Sequence, residues 1–452
     1  MNKVMHINKK VLIYVVGFTL LFLLINLNQV FASDYDSVHY INKCMKITEP
    51  GKYIINESLS VDPKEKICLE INASNVEIDG RMNKIFGFFE LGSKAILISG
   101  NNTNILSDIK IKNLIIDGGY AGIKLKYTKN IQIEAVFFKN PLEGLIIEDS
   151  SKVFLRNSRI NAKQRALIGT DSISLEIQNN IFSSEYSHCI DLKESYYPLI
   201  RENKFLYCKG SAIRLEKIAW LNVYENSIKN SGKGIEVINS SSPVIELNYV
   251  ENSTQHSISI LHSSNAKINN NNLNISQVGV FAQYSQQIFA NSNTINEVDV
   301  GFLIDHCLNV TIKNSKVNNM SKNLFLVKQS RDLLLDYGNI KGSKSLIEDS
   351  NVSVSLKQEL IENNIIYKDN ATVTFLVINE SKVIKTENID TLLVDKENIS
   401  IQPKKTEKES LLEKISVKHA VILMIVILIL VLIYSEIKLL NEKQYRRKRK
   451  RK

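Results

Sequence analysis

Residues 189–193 read CIDLK, residues 212–216 read AIRLE and residues 234–238 read GIEVI. Each stretch opens with a small residue, followed by two apolar residues with a charged residue between them, and the next stretch follows after 23 or 22 residues. Short period-two runs at a fixed spacing cannot form hairpins, because each run aligns with its counterpart one repeat later. The sequence therefore predicts an all-β solenoid, a single-stranded right-handed parallel β-helix.

The same period extends in both directions from these stretches. We call the first apolar residue of each stretch, such as Ile190, its anchor. Apolar residues recur two, eight, ten and fifteen residues after each anchor, which predicts three short strands in each coil. A small residue precedes nearly every anchor, so we expect a tight corner there. The anchors are Ile123, Leu145, Leu167, Ile190, Ile213, Ile235, Ile258, Val280, Phe302 and Phe325.

Asparagine occupies one further column of the repeat, thirteen residues after the anchor on six consecutive coils. Side-chain amides stacked at the strand spacing of about 4.8 Å can hydrogen-bond along the column and to the turn backbone. We interpret this column as a structural ladder without a catalytic role. Its members are Asn180, Asn203, Asn226, Asn248, Asn271 and Asn293.

The two ends of the chain predict export and anchoring. Residues 1–32 have a basic start, an apolar run and a Val-Phe-Ala end, which is typical of a signal peptide; an uncleaved anchor is the alternative. Residues 417–440 predict a C-terminal transmembrane helix, and the basic tail 441–452 is expected to stay in the cytoplasm. The expected location is thus the cell membrane, with a single pass and an extracellular ectodomain.

Between the two ends we divide the ectodomain into four parts. Residues 33–66 are expected to form an N-terminal cap and residues 67–350 the parallel β-helix. Residues 351–401 alternate in polarity and predict a small β segment or C-terminal cap that covers the last coil. Residues 402–416 are charged and predict a stalk.

The formal net charge of +10 suggests a nucleic-acid partner, but its distribution argues against one. The last seven residues carry seven of these charges and the signal peptide carries three more, so the exported body is formally neutral. We therefore expect no nucleic-acid partner, and an acidic ligand would need a local basic patch.

Five cysteines are present, and Cys44 and Cys68 are the best candidates for a disulfide in an oxidising compartment. Cys189 lies in the column of small residues and is interpreted as a small buried residue. N-x-S/T sequons predict a glycoprotein where the host has that machinery. They include Asn56, Asn72, Asn101, Asn239, Asn252, Asn309 and Asn370.

The Gly-Ile corner, the Asn-x-Ile or Asn-x-Phe turn and the opening residues 71–80 (INASNVEIDG) resemble the right-handed β-helix repeat proteins, including the NosD-like family and secreted carbohydrate-binding proteins and sugar hydrolases. The resemblance covers roughly residues 40–345. It implies the fold but leaves function open, because the fold hosts lyases, hydrolases, epimerases and non-catalytic binders.

One set of outward-facing residues is the candidate ligand-binding site. Asp191, Arg214 and Glu236 are expected to stack on adjacent coils beside Lys193 and Glu216. Tyr197 and the only tryptophan, Trp220, stack seven residues after their anchors and could form a platform for a sugar ring. The alternative is that these charges only stabilise the outer face.

No cofactor or metal site is predicted. His188 and His256 are three coils apart, and His262 and His306 are two coils apart, too far to share one ion. The leading hypothesis is a non-catalytic protein that binds or organises cell-surface polysaccharide or other glycans. A polysaccharide lyase, epimerase or glycoside hydrolase is the second hypothesis, and a structural envelope or adhesion scaffold is the third.

Overall fold

A computed structural model describes residues 38–336, 344–357, 364–368, 370–379 and 382–386. These residues form a right-handed parallel β-solenoid of about 14 turns, which confirms the predicted fold class for the ectodomain. They contain no helix, and so none that could cross a bilayer. The predicted signal peptide, stalk, transmembrane helix and basic tail lie outside the described residues and stay predictions.

The strands of the N-terminal third are Val38–Ile41, Met45–Ile47, Gly51–Ile55, Leu59–Ser60, Ile67–Ile71, Val76–Asp79, Lys84–Gly87, Lys94–Ser99, Leu106–Gly118, Ala121–Lys126, Thr128–Lys139, Glu143–Glu148, Ser151–Arg156 and Arg159–Ala162. The middle strands are Arg165–Thr170, Ile173–Gln178, Ile181–Ser184, Ile190–Lys193, Leu199–Arg201, Lys204–Glu216, Asn222–Tyr224, Ser227–Ile238, Val244–Glu246, Tyr249–Leu261, Lys267–Asn269 and Asn272–Gln283. The last strands are Gln286–Asn291, Thr294–Asp305, Leu308–Lys313, Lys316–Asn318, Asn323–Lys328, Arg331–Asp336, Lys344–Glu348, Asn351–Lys357, Asn364–Lys368, Thr372–Asn379 and Lys382–Thr386.

The anchor residues stack in the interior as the period predicts. Ile190 pairs with Leu167 on one side and Ile213 on the other, and Ile213 pairs in turn with Ile235. All four side chains are fully buried. The core is therefore a set of parallel columns of like residues, one from each coil.

Parallel pairing extends on both sides of residues 67–350, into parts of the predicted N-terminal cap and C-terminal segment. Strands within the expected cap 33–66 already pair in parallel with the following coil, as Val38–Ile41 does with Gly51–Ile55. The expected end segment 351–401 continues the coils as far as Thr372–Asn379. Lys382–Thr386 then pairs antiparallel with Thr372–Asn379, so the parallel stacking stops there.

Each coil turns at residues with left-handed backbone. On one coil these are Glu194, Tyr197 and Glu202, with φ of 49°, 55° and 56°. Another corner, directly before the anchor, is so tight that a Cβ atom on Gly122 would lie 2.6 Å from the carbonyl oxygen of Gly144. These corners hold each outward side chain at a fixed place on the surface.

The six predicted ladder asparagines are buried and joined along the solenoid. The Asn226 Nδ2 lies 2.9 Å from the Ile200 oxygen, 3.0 Å from the Tyr224 oxygen and 3.0 Å from Asn248 Oδ1. Its Oδ1 accepts from the backbone N–H of Asn203 at 3.0 Å. Each amide thus satisfies turn backbone groups that water cannot reach.

A second ladder, made of hydroxyl side chains, was missed by the sequence analysis. It lies five residues after the anchor and links neighbouring coils: Ser263 Oγ donates to the Leu261 oxygen at 2.7 Å and accepts from the Ser240 N–H at 3.0 Å. Ile218 interrupts the ladder. The hydroxyl members are Thr128, Ser150, Ser172, Ser195, Ser240, Ser263, Ser285, Ser330 and Ser350.

Cys307 takes one place in the serine ladder, where its N–H donates to Ser330 Oγ at 3.0 Å. Burial raises the pKa of its thiol to about 11, so the thiol stays protonated at neutral pH. Cys307 is therefore a ladder residue and a poor nucleophile.

The other four cysteines form two disulfides. The predicted Cys44–Cys68 bond is confirmed. Cys189 is buried as expected, but its interpretation as merely a small corner residue was wrong, since it forms a disulfide with Cys208. The two residues belong to different columns of the repeat. The sequence analysis compared residues only within a column, so it did not predict this bond.

Replacing Asn226 by Leu should lower the free energy of unfolding by about 1 to 3 kcal/mol, because the N–H of Asn203 and the Ile200 oxygen lose their buried partner. Thermal and urea unfolding measure the loss. Asn222→Leu is the matched control, since Asn222 is an exposed asparagine of the same coil. Equal melting temperatures for Asn226→Leu and the wild type would show that the ladder does not stabilise the fold.

Candidate functional site

Arg214 is the centre of the predicted charged group. It stacks between Asp191 and Glu236 on the neighbouring coils. Its Nη1 lies 3.0 Å from Asp191 Oδ1 and its Nη2 lies 2.7 Å from Glu216 Oε2, while Nε lies 3.9 Å from Glu236 Oε2. Lys193 Nζ lies 3.4 Å from Glu216 Oε2. One guanidinium therefore contacts three carboxylates, and the predicted charges do lie together.

The network extends through the column two residues before the anchor, of which the sequence analysis considered only His188 and His256, and only as metal ligands. Arg165 from this column lies 3.5 Å from Asp191 and 2.5 Å from Glu143. Lys233 pairs with Glu236, whose Oε2 also accepts from Ser211 Oγ at 2.7 Å. The column members are Glu143, Arg165, His188, Ser211, Lys233 and His256. Their polar character, one position ahead of the small residue that precedes each anchor, was the available signal.

Two carboxylates of this network, Glu216 and Glu236, have lowered pKa values. Burial alone would raise the pKa of Glu236, which is 5% exposed, but hydrogen bonds from Lys233 and Ser211 outweigh it and the pKa is lowered. The hydrogen bond from Arg214 likewise lowers the pKa of Glu216. Neither carboxyl group is poised to donate a proton at neutral pH.

A cleft of about 590 Å³ opens beside Arg214, next to the loop that precedes the strand Ile190–Lys193. Its charged lining comprises three cations, Arg165, Lys193 and Arg214, and one carboxylate, Asp191. The cleft is therefore rich in hydrogen-bond donors. The full lining is Gln164, Arg165, Tyr186, Ser187, His188, Asp191, Lys193 and Arg214.

His188 presents a donor to this cleft. The backbone N–H of Ser211 donates to His188 Nδ1 at 2.9 Å, so the neutral imidazole carries its proton on Nε2. Burial lowers the pKa of His188, which keeps the ring neutral. With its only lone pair engaged by Ser211, His188 is placed to donate a hydrogen bond and is not placed to act as a base.

Tyr197 and Trp220 form an exposed aromatic pair. Their rings are parallel within 7° with centroids 5.0 Å apart, and the residues are 53% and 52% exposed. Tyr196 and Ile173 are exposed beside them, and we call these four residues the aromatic corner. The equivalent positions on the neighbouring coils hold serine, so no third ring covers the outer faces of the pair.

The aromatic corner and the cleft are separate surfaces. Neither Tyr197 nor Trp220 lines the cleft, which reaches along the strand Ile190–Lys193 as far as Lys193, whereas Tyr197 follows that strand. The sequence predicted the rings as part of one site with the charges. The structure instead gives two neighbouring surfaces.

Within the described ranges no group of three or more His, Cys, Asp or Glu side chains is arranged to hold a metal ion.

Comparison with known proteins identifies the family. Residues 94–250 and 218–365 match the family model described as right handed beta helix region. The chain belongs to the right-handed β-helix family. No curated protein matches the sequence.

Solved structures similar to this β-helix include sugar-binding phage proteins. A tailspike protein of E. coli bacteriophage HK620, in complex with a pentasaccharide, has 12% identity and a TM-score of 0.53 over 73% of this chain and 74% of that chain. A second tailspike variant, in complex with a hexasaccharide, has 11% identity and a TM-score of 0.52 over the same shares. Identities this low show a shared fold only.

A family 28 exopolygalacturonase of Yersinia enterocolitica has 8% identity and a TM-score of 0.43 over 68% of this chain and 74% of that chain.

His256 at the end of the charged network should make the stability of the β-helix depend on pH. Its ring packs on Phe281 with centroids 4.6 Å apart, and burial lowers its pKa from 6.5 to about 4. The unfolded chain therefore takes up this proton first, so stability is full above pH 6.5 and falls as the pH drops toward 4.

We expect His256→Phe to lose less stability than the wild type between pH 7 and pH 4.5, as measured by urea unfolding. The control is His262→Phe, which removes an exposed imidazole from the same coil. If His256→Phe and the wild type lose stability equally over this range, His256 is not the source of the pH dependence.

Proposed function

We propose that this chain is an exported, membrane-anchored β-helix that binds cell-surface polysaccharide without cleaving it. The exposed parallel pair Tyr197–Trp220 is the observation that carries the proposal. Trp220 and Tyr197 are each about half exposed to water. They therefore do not gain the stabilisation that full burial of such large rings would give. Flat exposed rings of this kind suit the apolar face of a pyranose.

The cleft adds hydrogen-bonding groups near these rings. Arg165, Lys193 and Arg214 offer N–H donors, and His188 offers its Nε2–H. A sugar is rich in oxygen acceptors, so it suits the hydrogen-bond donors of the cleft. The neighbouring rings of Tyr197 and Trp220 suit stacking, and a glycan that contacts both surfaces would use both interactions.

The electrostatics favour binding over catalysis. Glycoside hydrolysis needs one protonated carboxyl group and one free carboxylate across the scissile bond. Here Asp191, Glu216 and Glu236 are all paired to Arg214, and the pKa values of both glutamates are lowered. His188 has no free lone pair with which to abstract a proton.

The comparisons support the choice of ligand class only through the fold. The two tailspikes are in complex with oligosaccharides, so a β-helix of this kind can present a sugar-binding surface. Two disulfides suit the oxidising compartment that the predicted signal peptide leads to. The transmembrane anchor at residues 417–440, with the ectodomain outside, remains part of the proposal.

Trp220→Ala should weaken glycan binding about tenfold or more, about 1.4 kcal/mol, while leaving the melting temperature unchanged. We would screen the full-length chain in lipid nanodiscs against dextran, hyaluronan, alginate and polygalacturonate, and then titrate any binder by calorimetry. Tyr40→Ala removes an exposed tyrosine of the first coil and is the matched control.

Each outcome decides between the hypotheses. Unchanged affinity for Trp220→Ala, or loss of the folded state, would assign Trp220 to structure. Release of reducing ends or unsaturated products would favour a hydrolase or lyase. Failure to bind any glycan, on this panel and on a glycan array, would favour a structural scaffold.

A further inference from the structure

A second exposed ring stack lies further along the solenoid. The rings of His262 and Tyr284 have centroids 5.0 Å apart and an interplanar angle of 11°, and those of Tyr284 and His306 are 4.6 Å apart at 36°. Tyr284 is 48% exposed and both histidines are exposed. Three consecutive coils therefore carry a column of rings on the surface.

This second stack borders the same corner of the solenoid as the aromatic corner. His262, Tyr284 and His306 lie four residues after their anchors, whereas Tyr197 and Trp220 lie seven after theirs. Both positions have left-handed backbone on these coils, with φ between 48° and 55°. They mark the two ends of the turn between the first and second strands of a coil.

The rings of the second stack do not fill the core, because the next residue along the chain already does so. Ser263, Ser285 and Cys307 follow the three rings and occupy the buried hydroxyl ladder. The outer stack is held separately: His306 Nδ1 lies 2.8 Å from Asp305 Oδ1, and Asp305 Oδ2 accepts from Gln283 Nε2 at 2.8 Å. This orients the imidazole on the surface.

Small polar residues separate the two ring stacks. The coil anchored by Ile235 has Asn239 and Ser242 at the two corner positions. Trp220 and Tyr284 lie three coils apart, which is about 14 Å along the axis. The corner thus has rings, then small polar side chains, then rings again.

We propose that this corner is a continuous binding ridge for a linear polysaccharide that runs along the solenoid axis, with His262, Tyr284 and His306 as a second sugar-stacking subsite. The inference rests on the proposed glycan-binding function and specifies a polymeric ligand. A chain that contacts both stacks gains affinity because its second contact is intramolecular. Stacks of rings on neighbouring strands also stabilise sheets, and the experiment must separate that role.

The single tryptophan of the sequence allows each subsite to be observed by fluorescence. In the wild type, Trp220 reports on the aromatic corner. The double variant Trp220→Tyr with Tyr284→Trp keeps a ring at both places and moves the reporter to the second stack. Both proteins, full length in nanodiscs, are titrated with size-fractionated oligosaccharides of hyaluronan, alginate, polygalacturonate and dextran.

We expect short oligosaccharides of at least one probe to change the emission of Trp220, and longer ones also to change the emission of the reporter at 284. Tyr284→Ala should weaken binding of the long oligosaccharides about tenfold or more and leave binding of the short ones unchanged. Phe289→Ala, which removes a partly exposed ring from the same coil but away from the corner, is the control.

The failures of the two proposals are distinguishable. Emission changes at Trp220 without any at 284, with unchanged affinity of Tyr284→Ala for long oligosaccharides, would overturn the ridge and leave the proposed function standing. A lower melting temperature for Tyr284→Ala with a silent reporter would assign the second stack to stability. Silence of both reporters with every probe would overturn both proposals.

Discussion

The whole structure depends on hydrogen bonding between coils at buried turns. A parallel solenoid places each turn directly above the previous one, so turn N–H and C=O groups inside the stack cannot reach water. The asparagine ladder satisfies these groups at one corner, and the serine ladder does so at another. Where Ile218 interrupts the serine ladder, its own N–H still donates to Ser240 Oγ of the next coil at 2.9 Å.

The same stacking constrains the outer face. Equivalent residues on neighbouring coils lie about 4.8 Å apart, so like charges in one column would repel each other. The sign of the charge alternates along this column, from Asp191 to Arg214 to Glu236. Arg165 and Lys233 supply further cations from the adjoining column. The network is thus explained by stability, and ligand binding is best sought where side chains are left accessible, in the cleft and along the corner.

Sequence reasoning recovered the features that repeat with the period of the coil. The anchors, the asparagine ladder and the charged column around Arg214 each recur every 22 or 23 residues. It did not recover features that join residues of different columns, or features made of residue types that are common on any protein surface. The bond between Cys189 and Cys208 spans 19 residues and so joins different columns. Serine is common on surfaces, so its ladder looked unremarkable. The repeat also fixes the position of a side chain along the solenoid axis but not its distance from another column around the coil. For this reason the rings of Tyr197 and Trp220 were predicted to belong to the same site as the charges.

These constraints explain why the corners are suited to carry function. In the core a column accepts only residues that fill the space between coils, and in the ladders only residues that satisfy the turn. At the corner the backbone of Trp220 and of Ser242 has the same left-handed conformation, with φ of 53° at both, although the side chains have nothing in common. The fold therefore does not dictate the residue there. A ligand-binding surface can change residue by residue along this corner while the solenoid beneath it stays the same, and the exposed rings are the departures from the small polar residues that neighbouring coils carry there.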